Sequence, residues 1–163
     1  MPNKDKNDRV LREHLLYLLG EGGAHVSFDD AIKGVPAEKR GETPSGMDHS
    51  VWDLVEHIRL AQWDILEFSR NRKHKSPRWP EGYWPSKKNP STAEWNAGVK
   101  KIRADLKAMQ ALVKNPEADL FAKIPWGDGQ TILHEALLVA DHNAYHVAQI
   151  VDVRRLLGAW PAK

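Results

Sequence analysis

The stretch that decides the fold is TILHEALLVADHNAYHVAQIVDVRRLLG, residues 131–158. Thr131 supplies an N-cap, the apolar residues recur at helical spacing, and Gly158 supplies a stop, so the segment reads as one long helix from Ile132 to about Leu157. Within it, His142 and His146 stand four positions apart, on successive turns of one face. The zinc-protease helix His-Glu-x-x-His has this spacing, but its general-base glutamate is replaced here by Asn143. At 100° per residue, Glu135, Leu138, Val139, His146, Gln149, Val153, Leu156 and Leu157 lie within about 60° of His142, a mostly apolar face expected to point inward. His134, Asp141, Asp152 and Arg155 form the strip expected in water. A second apolar stripe, Leu133, Leu137, Ala140, Ala144, Val147 and Val151, lies nearly opposite the histidines, to be wrapped by the chain's own bundle or lent to a second subunit in a homodimer.

Three further helices are expected. The first spans Lys6 to Leu19 and ends at Gly20, Gly22 and Gly23; residues 1–5 read as a disordered start. SFDDAI makes one short turn capped by Ser27, and residues 33–47 read as a surface connection. The second long helix opens at Ser50, with Asp53 completing a capping box, and runs to about Arg70. The third opens at Ser91 with Glu94 and runs to about Lys114, where Asn115 and Pro116 close it. Between the second and third, NRKHKSPRWPEGYWPSKKNP carries four prolines and is no continuous helix; its Trp79, Tyr83 and Trp84 could pack across the helix ends or roof a pocket. No strand pattern or internal repeat is evident. The fold class is therefore all-α, a four-helix bundle forming a single domain over residues 1–163.

Composition narrows the chemistry. With no cysteine among 163 residues, any transition metal must be held by His, Asp or Glu. The opening MPNKDKNDRV is polar, and no apolar run approaches the roughly 18 residues of a membrane span, so the expectation is a cytoplasmic protein without a membrane partner. Net charge is +2, with both signs mixed along the chain. The basic run Arg70, Arg72, Lys73, Lys75 and Arg78 thus reads as a solvated loop and not a nucleic-acid site. Seven tryptophans point to large buried aromatic contacts or a pocket wall.

Two imidazoles rarely hold a labile divalent ion, so a third ligand is needed. His57 is best placed, inside the second long helix on the face of Leu54, Ala61, Ile65 and Phe68. Asp53 and Asp64 flank that face as acceptors for a ligand's second N–H. His49, at the bundle rim, is the rival; His14, His25, His74 and His134 have weaker positions. Glu135, two turns before His142, is a structural polar contact or a candidate base or outer contact, and Tyr145 and Gln149 could form core hydrogen bonds or orient a ligand.

HSVWDLVEHIRLAQWDIL, residues 49–66, together with DHNAYHVAQIVDVRRLLG, residues 141–158, resembles the DinB-like superfamily of four-helix bundles, related to damage-inducible DinB proteins and YfiT-type metal hydrolases. The resemblance covers roughly residues 5–160. It implies a divalent metal held by one histidine of the second long helix and the His-x-x-x-His pair, carried over to His57, His142 and His146. Gln149 matches the glutamine common after the pair, and Ala148 stands where glycine is frequent. Relatives include transferases and isomerases that use low-molecular-weight thiols. Three neutral imidazoles suit zinc, nickel, iron or copper, with zinc or nickel expected first, and they leave a position open for water or a thiol cosubstrate. The function implied is metal-dependent transfer or hydrolysis. The alternative is a metal-stabilised dimeric bundle acting as a stress-related binding protein.

Overall fold

The computed structural model describes residues 2–21 and 24–161 and is all-helical among them, apart from an isolated bridge between Lys123 and Thr131. The helices are α1 (Pro2–Glu21), α2 (Phe28–Ile32), α3 (Val51–Arg70), α4 (Thr92–Lys114) and α5 (Ile132–Leu156). Single 3₁₀ turns occupy Ala37–Lys39 and Glu81–Tyr83. The four capping residues read from the sequence all accept a backbone N–H: Ser27 from Asp30, Ser50 from Asp53, Ser91 from Glu94 and Thr131 from His134. Asp53 and Glu94 return the bond to the cap backbone, so both capping boxes are complete.

α1 differs from its expectation at both ends. It takes in Pro2 to Asp5 and runs through Gly20 to Glu21; Met1, Gly22 and Gly23 lie outside the described residues. One helical glycine costs only about 1 kcal/mol, which the neighbouring turns outweigh.

The four long helices close a ring in which α3 packs on α4, α4 on α1, α1 on α5 and α5 on α3, while α2 caps α5. One core cluster joins Val51, Leu54, Val55 and Ile58 of α3 to Trp95, Val99 and Ile102 of α4 and to Val147, Ile150 and Val151 of α5. The other joins Leu15 and Leu19 of α1 to Leu66, Met109, Val113, Ala136 and Val139. The second stripe of α5 goes mainly into these clusters: Val147 and Val151 are buried, Leu133 and Ala140 pack alongside, and Leu137 is exposed.

The facing of α5 is rotated from the expected one. His134, Asp141, Asp152 and Arg155 are exposed as expected, and Glu135, Val139, His146 and Val153 are buried, but Leu138 and Leu156 are exposed. Contacts with α1, α2 and α3 draw the buried arc toward Val147 and Val151, so the histidine pair sits on the shoulder of that arc. This position lets the imidazoles reach α3 while keeping an open side.

Two arginines fasten the ends of the bundle. Arg154, 2 % exposed, donates to the carbonyls of Ala31, Lys33 and Ala159, which ties the C-terminus of α2 to the end of α5. Arg12 donates to the carbonyls of Val113, Asn115 and Ala118 at the C-terminus of α4. In both cases a guanidinium meets orphan carbonyls at a helix end, where the helix dipole favours a cation. No described helix is long and apolar enough to cross a membrane.

Candidate metal centre

The capping box at Ser50 fixes where α3 begins, and His57 falls two turns later on its buried side, 4 % exposed. From there it meets α5. One nitrogen from each of His57, His142 and His146 lies within 4.8 Å of the other two. The His57–His146 and His142–His146 ring centres are each 4.5 Å apart, and His57 and His142 are 4.9 Å apart. The three histidines singled out in the sequence are thus brought to one point.

Their outer contacts fix the tautomers. His57 Nδ1 is 2.9 Å from the Tyr83 carbonyl, which can only accept, so Nδ1 carries the proton and Nε2 keeps its lone pair. His146 Nδ1 donates in the same way to Gln149 Oε1 at 2.7 Å. The flanking carboxylates do not serve as acceptors: Asp53 is spent on the Ser50 cap, and Asp64 holds His74 and Tyr83. A backbone carbonyl from the loop and a side-chain amide one turn along α5 take that place.

These residues fit a divalent ion. His142 Nε2 lies 3.1 Å from His57 Nε2, and His142 Nδ1 is buried without a partner, as is the neighbouring Asn143 Oδ1. In neutral rings a proton on His142 Nε2 bridges to the His57 Nε2 lone pair and leaves His142 Nδ1 without a partner; a cation taking the place of that proton would let the His142 proton move to Nδ1. Nitrogens bound to one tetrahedral zinc at about 2.0–2.1 Å are about 3.4 Å apart; the His57–His142 pair at 3.1 Å is near that value, and all three nitrogens lie within 4.8 Å of one another.

The charge state agrees. Burial first, and then the neighbouring His146 and His57, push His142 down to about 4 against the opposing Asn143 contact. Burial brings His146 to about 4 as well, against its bond to Gln149. His57 is lowered by burial, opposed by the Tyr83 carbonyl and assisted by His49. At neutral pH all three are neutral, the form that binds metal.

His49 is kept out by an indole. Trp84 stacks on His49 at 3.9 Å and on His57 at 4.1 Å, so its ring lies between the two imidazoles. The loop from Asn71 to Pro90 is therefore strapped onto α3 by the Tyr83 carbonyl, the Trp84 stack and the bond from Trp52 Nε1 to the Lys87 carbonyl. The strap also carries His74, a weakly placed candidate on sequence grounds. Its side chain is 7 % exposed, its Nε2 lies 2.6 Å from Asp64 Oδ1, and its ring meets Trp63 edge-on. Tyr83 donates its hydroxyl to the other Asp64 oxygen at 2.6 Å, and burial together with that carboxylate pushes the phenol upward. In the basic run, Arg70 pairs with Glu67 and Arg78 with Glu81.

The histidines open onto a cleft of about 480 Å³ walled by Ala61, Asp64, Ile65, Trp79, Tyr83, Leu138 and Tyr145. The aromatic loop contributes Trp79 and Tyr83 to this wall, as a roofing role requires. Tyr145 meets His146 edge-on at 5.0 Å.

Glu135 is not among the lining residues. It is 4 % exposed, meets no hydrogen-bond donor among the described residues, and has His134 Nε2 at 3.9 Å. Burial raises its pKa, the His134 charge opposes the rise, and Asp64 adds to it. A carboxyl raised in the folded state binds protons more tightly there than when unfolded, so its stabilising share is full below the unfolded pKa and is lost as pH climbs through the folded one. Glu135→Gln is thus expected to raise the melting temperature at pH 7 by a few degrees, with the gain vanishing toward pH 4. A scan of both proteins across that range checks it; an unchanged or lowered value at pH 7 would show that the carboxylate is stabilised where it sits.

Comparisons with curated proteins and with solved structures give no match. The family model described as the DinB superfamily matches residues 24–150, which take in α2 to α4, most of α5 and all three histidines. With a helical bundle of the expected kind and a histidine group able to hold a metal ion inside the matched region, the chain belongs to the DinB superfamily.

Proposed function

We propose that the protein is a metal-dependent enzyme in which His57, His142 and His146 hold a divalent ion, zinc or nickel, for hydrolysis or for transfer to or from a low-molecular-weight thiol. The observation that carries this reading is the convergence of three neutral imidazole nitrogens within 4.8 Å beside a cleft of about 480 Å³. When bound, such an ion supplies Lewis acidity, which lowers the pKa of water or a thiol toward neutrality. The chain does the positioning. The Tyr83 carbonyl and Gln149 set the planes of His57 and His146, Trp84 excludes His49, and Tyr83 and Trp79 wall the approach.

Metal content measured by mass spectrometry on protein purified without an affinity tag should come to about one ion per chain. Protein that takes up neither zinc nor nickel would end the reading. With cobalt in place of the native ion, adding a small thiol should produce a sulfur-to-metal charge-transfer band if a position is open to the cosubstrate. A spectrum that no thiol or water-competing anion changes would favour the second reading, a structural ion without turnover, which the burial of His57 and His146 supports.

The role assigned to Gln149 has its own test. Gln149→Leu removes the acceptor of His146 Nδ1 and should weaken zinc binding by about 10- to 100-fold in competition with a chromophoric chelator. Unchanged affinity would show that the imidazole is oriented by packing alone. The proposal extends to a homodimer. Most of the second stripe of α5 is already packed inside the chain, so the contact would draw on exposed residues such as Leu137 and Leu156, and sedimentation velocity decides it.

A further inference from the structure

We infer that the cleft beside the three histidines takes a substrate whose part remote from the imidazoles is a planar, uncharged, apolar group, held by Trp79 and Tyr145. This rests on the functional reading of the same site and adds the substrate class to it. Trp79 is 69 % exposed and Tyr145 63 %, and both line the cleft. One comes from the strap and the other from α5, so the two large aromatic rings reach the opening from separate elements. Leu138, 39 % exposed, adds an aliphatic surface, and Ala61 and Ile65 continue it. Aromatic faces left in water at the edge of a concave site offer flat, apolar contact area, which favours a planar apolar ligand.

The charges in the cleft point the same way. No Lys or Arg is among the described residues that line it. Its carboxylate, Asp64, already accepts from His74 on one oxygen and from Tyr83 on the other, so a cationic ligand would compete with these two bonds for it. Away from the histidines, a charged group desolvated against this wall would meet no basic side chain, whereas an uncharged ring loses little on leaving water. The volume of about 480 Å³ lies in the range of clefts that hold small molecules.

Two fluorescent probes that share one skeleton test this. N-phenyl-1-naphthylamine is uncharged, and 8-anilino-1-naphthalenesulfonate is the same ring system with a sulfonate. Both are titrated into the full chain after dialysis against a chelator, so that no metal charge contributes. The uncharged probe should bind at least about 10-fold more tightly than the sulfonate, about 1.4 kcal/mol. Trp79→Ala and Tyr145→Ala should each weaken it by about 5- to 10-fold, the worth of one aromatic contact. Leu156→Ala removes an exposed apolar side chain that does not line the cleft and should leave the affinity unchanged. Failure of the uncharged probe to bind, equal affinity for the sulfonate, or wild-type affinity in both aromatic variants would overturn the inference. The outcome is separable from that of the metal reading. A chain that binds no metal but shows this selectivity keeps the apolar cleft and loses the ion, and a stoichiometric ion without selectivity does the reverse.

Discussion

Alanine at His142 or at His57 is expected to weaken zinc binding more than about 100-fold, beyond the 10- to 100-fold that loss of an outer partner costs. Either change leaves two imidazoles, and two ligands rarely retain a labile divalent ion. The same change at His49 should leave the affinity within about 2-fold of wild type, well under the 1.4 kcal/mol of a tenfold effect, because Trp84 stands between that ring and His57. Thermal unfolding gives a second readout. An ion at 100 times its dissociation constant adds about 2.7 kcal/mol to the folded state. For a chain of this length that is a rise of about 5–10 °C in melting temperature. The wild type and His49→Ala should show the rise, and His142→Ala and His57→Ala should not. Full metal occupancy in both of the latter would mean that the ion sits elsewhere.

The second large effect concerns folding. Arg154→Met keeps a long apolar stem but removes the guanidinium that donates to the carbonyls of Ala31, Lys33 and Ala159. Hydrogen bonds from a charged donor are worth about 1.5–3 kcal/mol each, and a buried carbonyl left without its donor adds a desolvation penalty. A loss of about 3 kcal/mol follows, or about 6–12 °C in melting temperature. Arg155 is exposed and, among the described residues, pairs with Asp152 alone of the charged groups, so Arg155→Met should move the melting temperature by no more than about 2 °C. Equal effects at the two positions would show that the carbonyl contacts of Arg154 are replaceable by water.

What could be read in the sequence is what depends on local spacing. Ser27, Ser50, Ser91 and Thr131 cap the helices they were expected to cap, because a cap and the N–H it accepts are three residues apart. The histidine group was legible for a related reason: His142 and His146 share a face by helical period, and His57 lies on the apolar side of its own helix. What escaped depends on chain folding back from a distance. Nothing in the residue type of Tyr83 says that its carbonyl will meet His57, since every residue has a carbonyl. Nor does a loop pattern show that His74 returns to Asp64, ten positions earlier, or that Trp84 slots between two imidazoles. Arg154 offers no local sign that its partner carbonyls lie 121 and 123 positions away. The rotation of α5 has the same origin, because helical period fixes which residues share a face, while the neighbouring helices decide which face is covered.

The two histidines of α5 and the one of α3 stand 85 positions apart where they come closest. An ion gripping His57 and His142 would therefore tie a long loop of chain at its neck, the task that a disulfide performs in chains that have cysteine. This chain has none. Its cross-link would be reversible and under chemical control, closing when metal is supplied and opening when a chelator or acid removes it. The fraction of chains open at any moment, and with it resistance to proteolysis, would then follow the supply of metal around the protein.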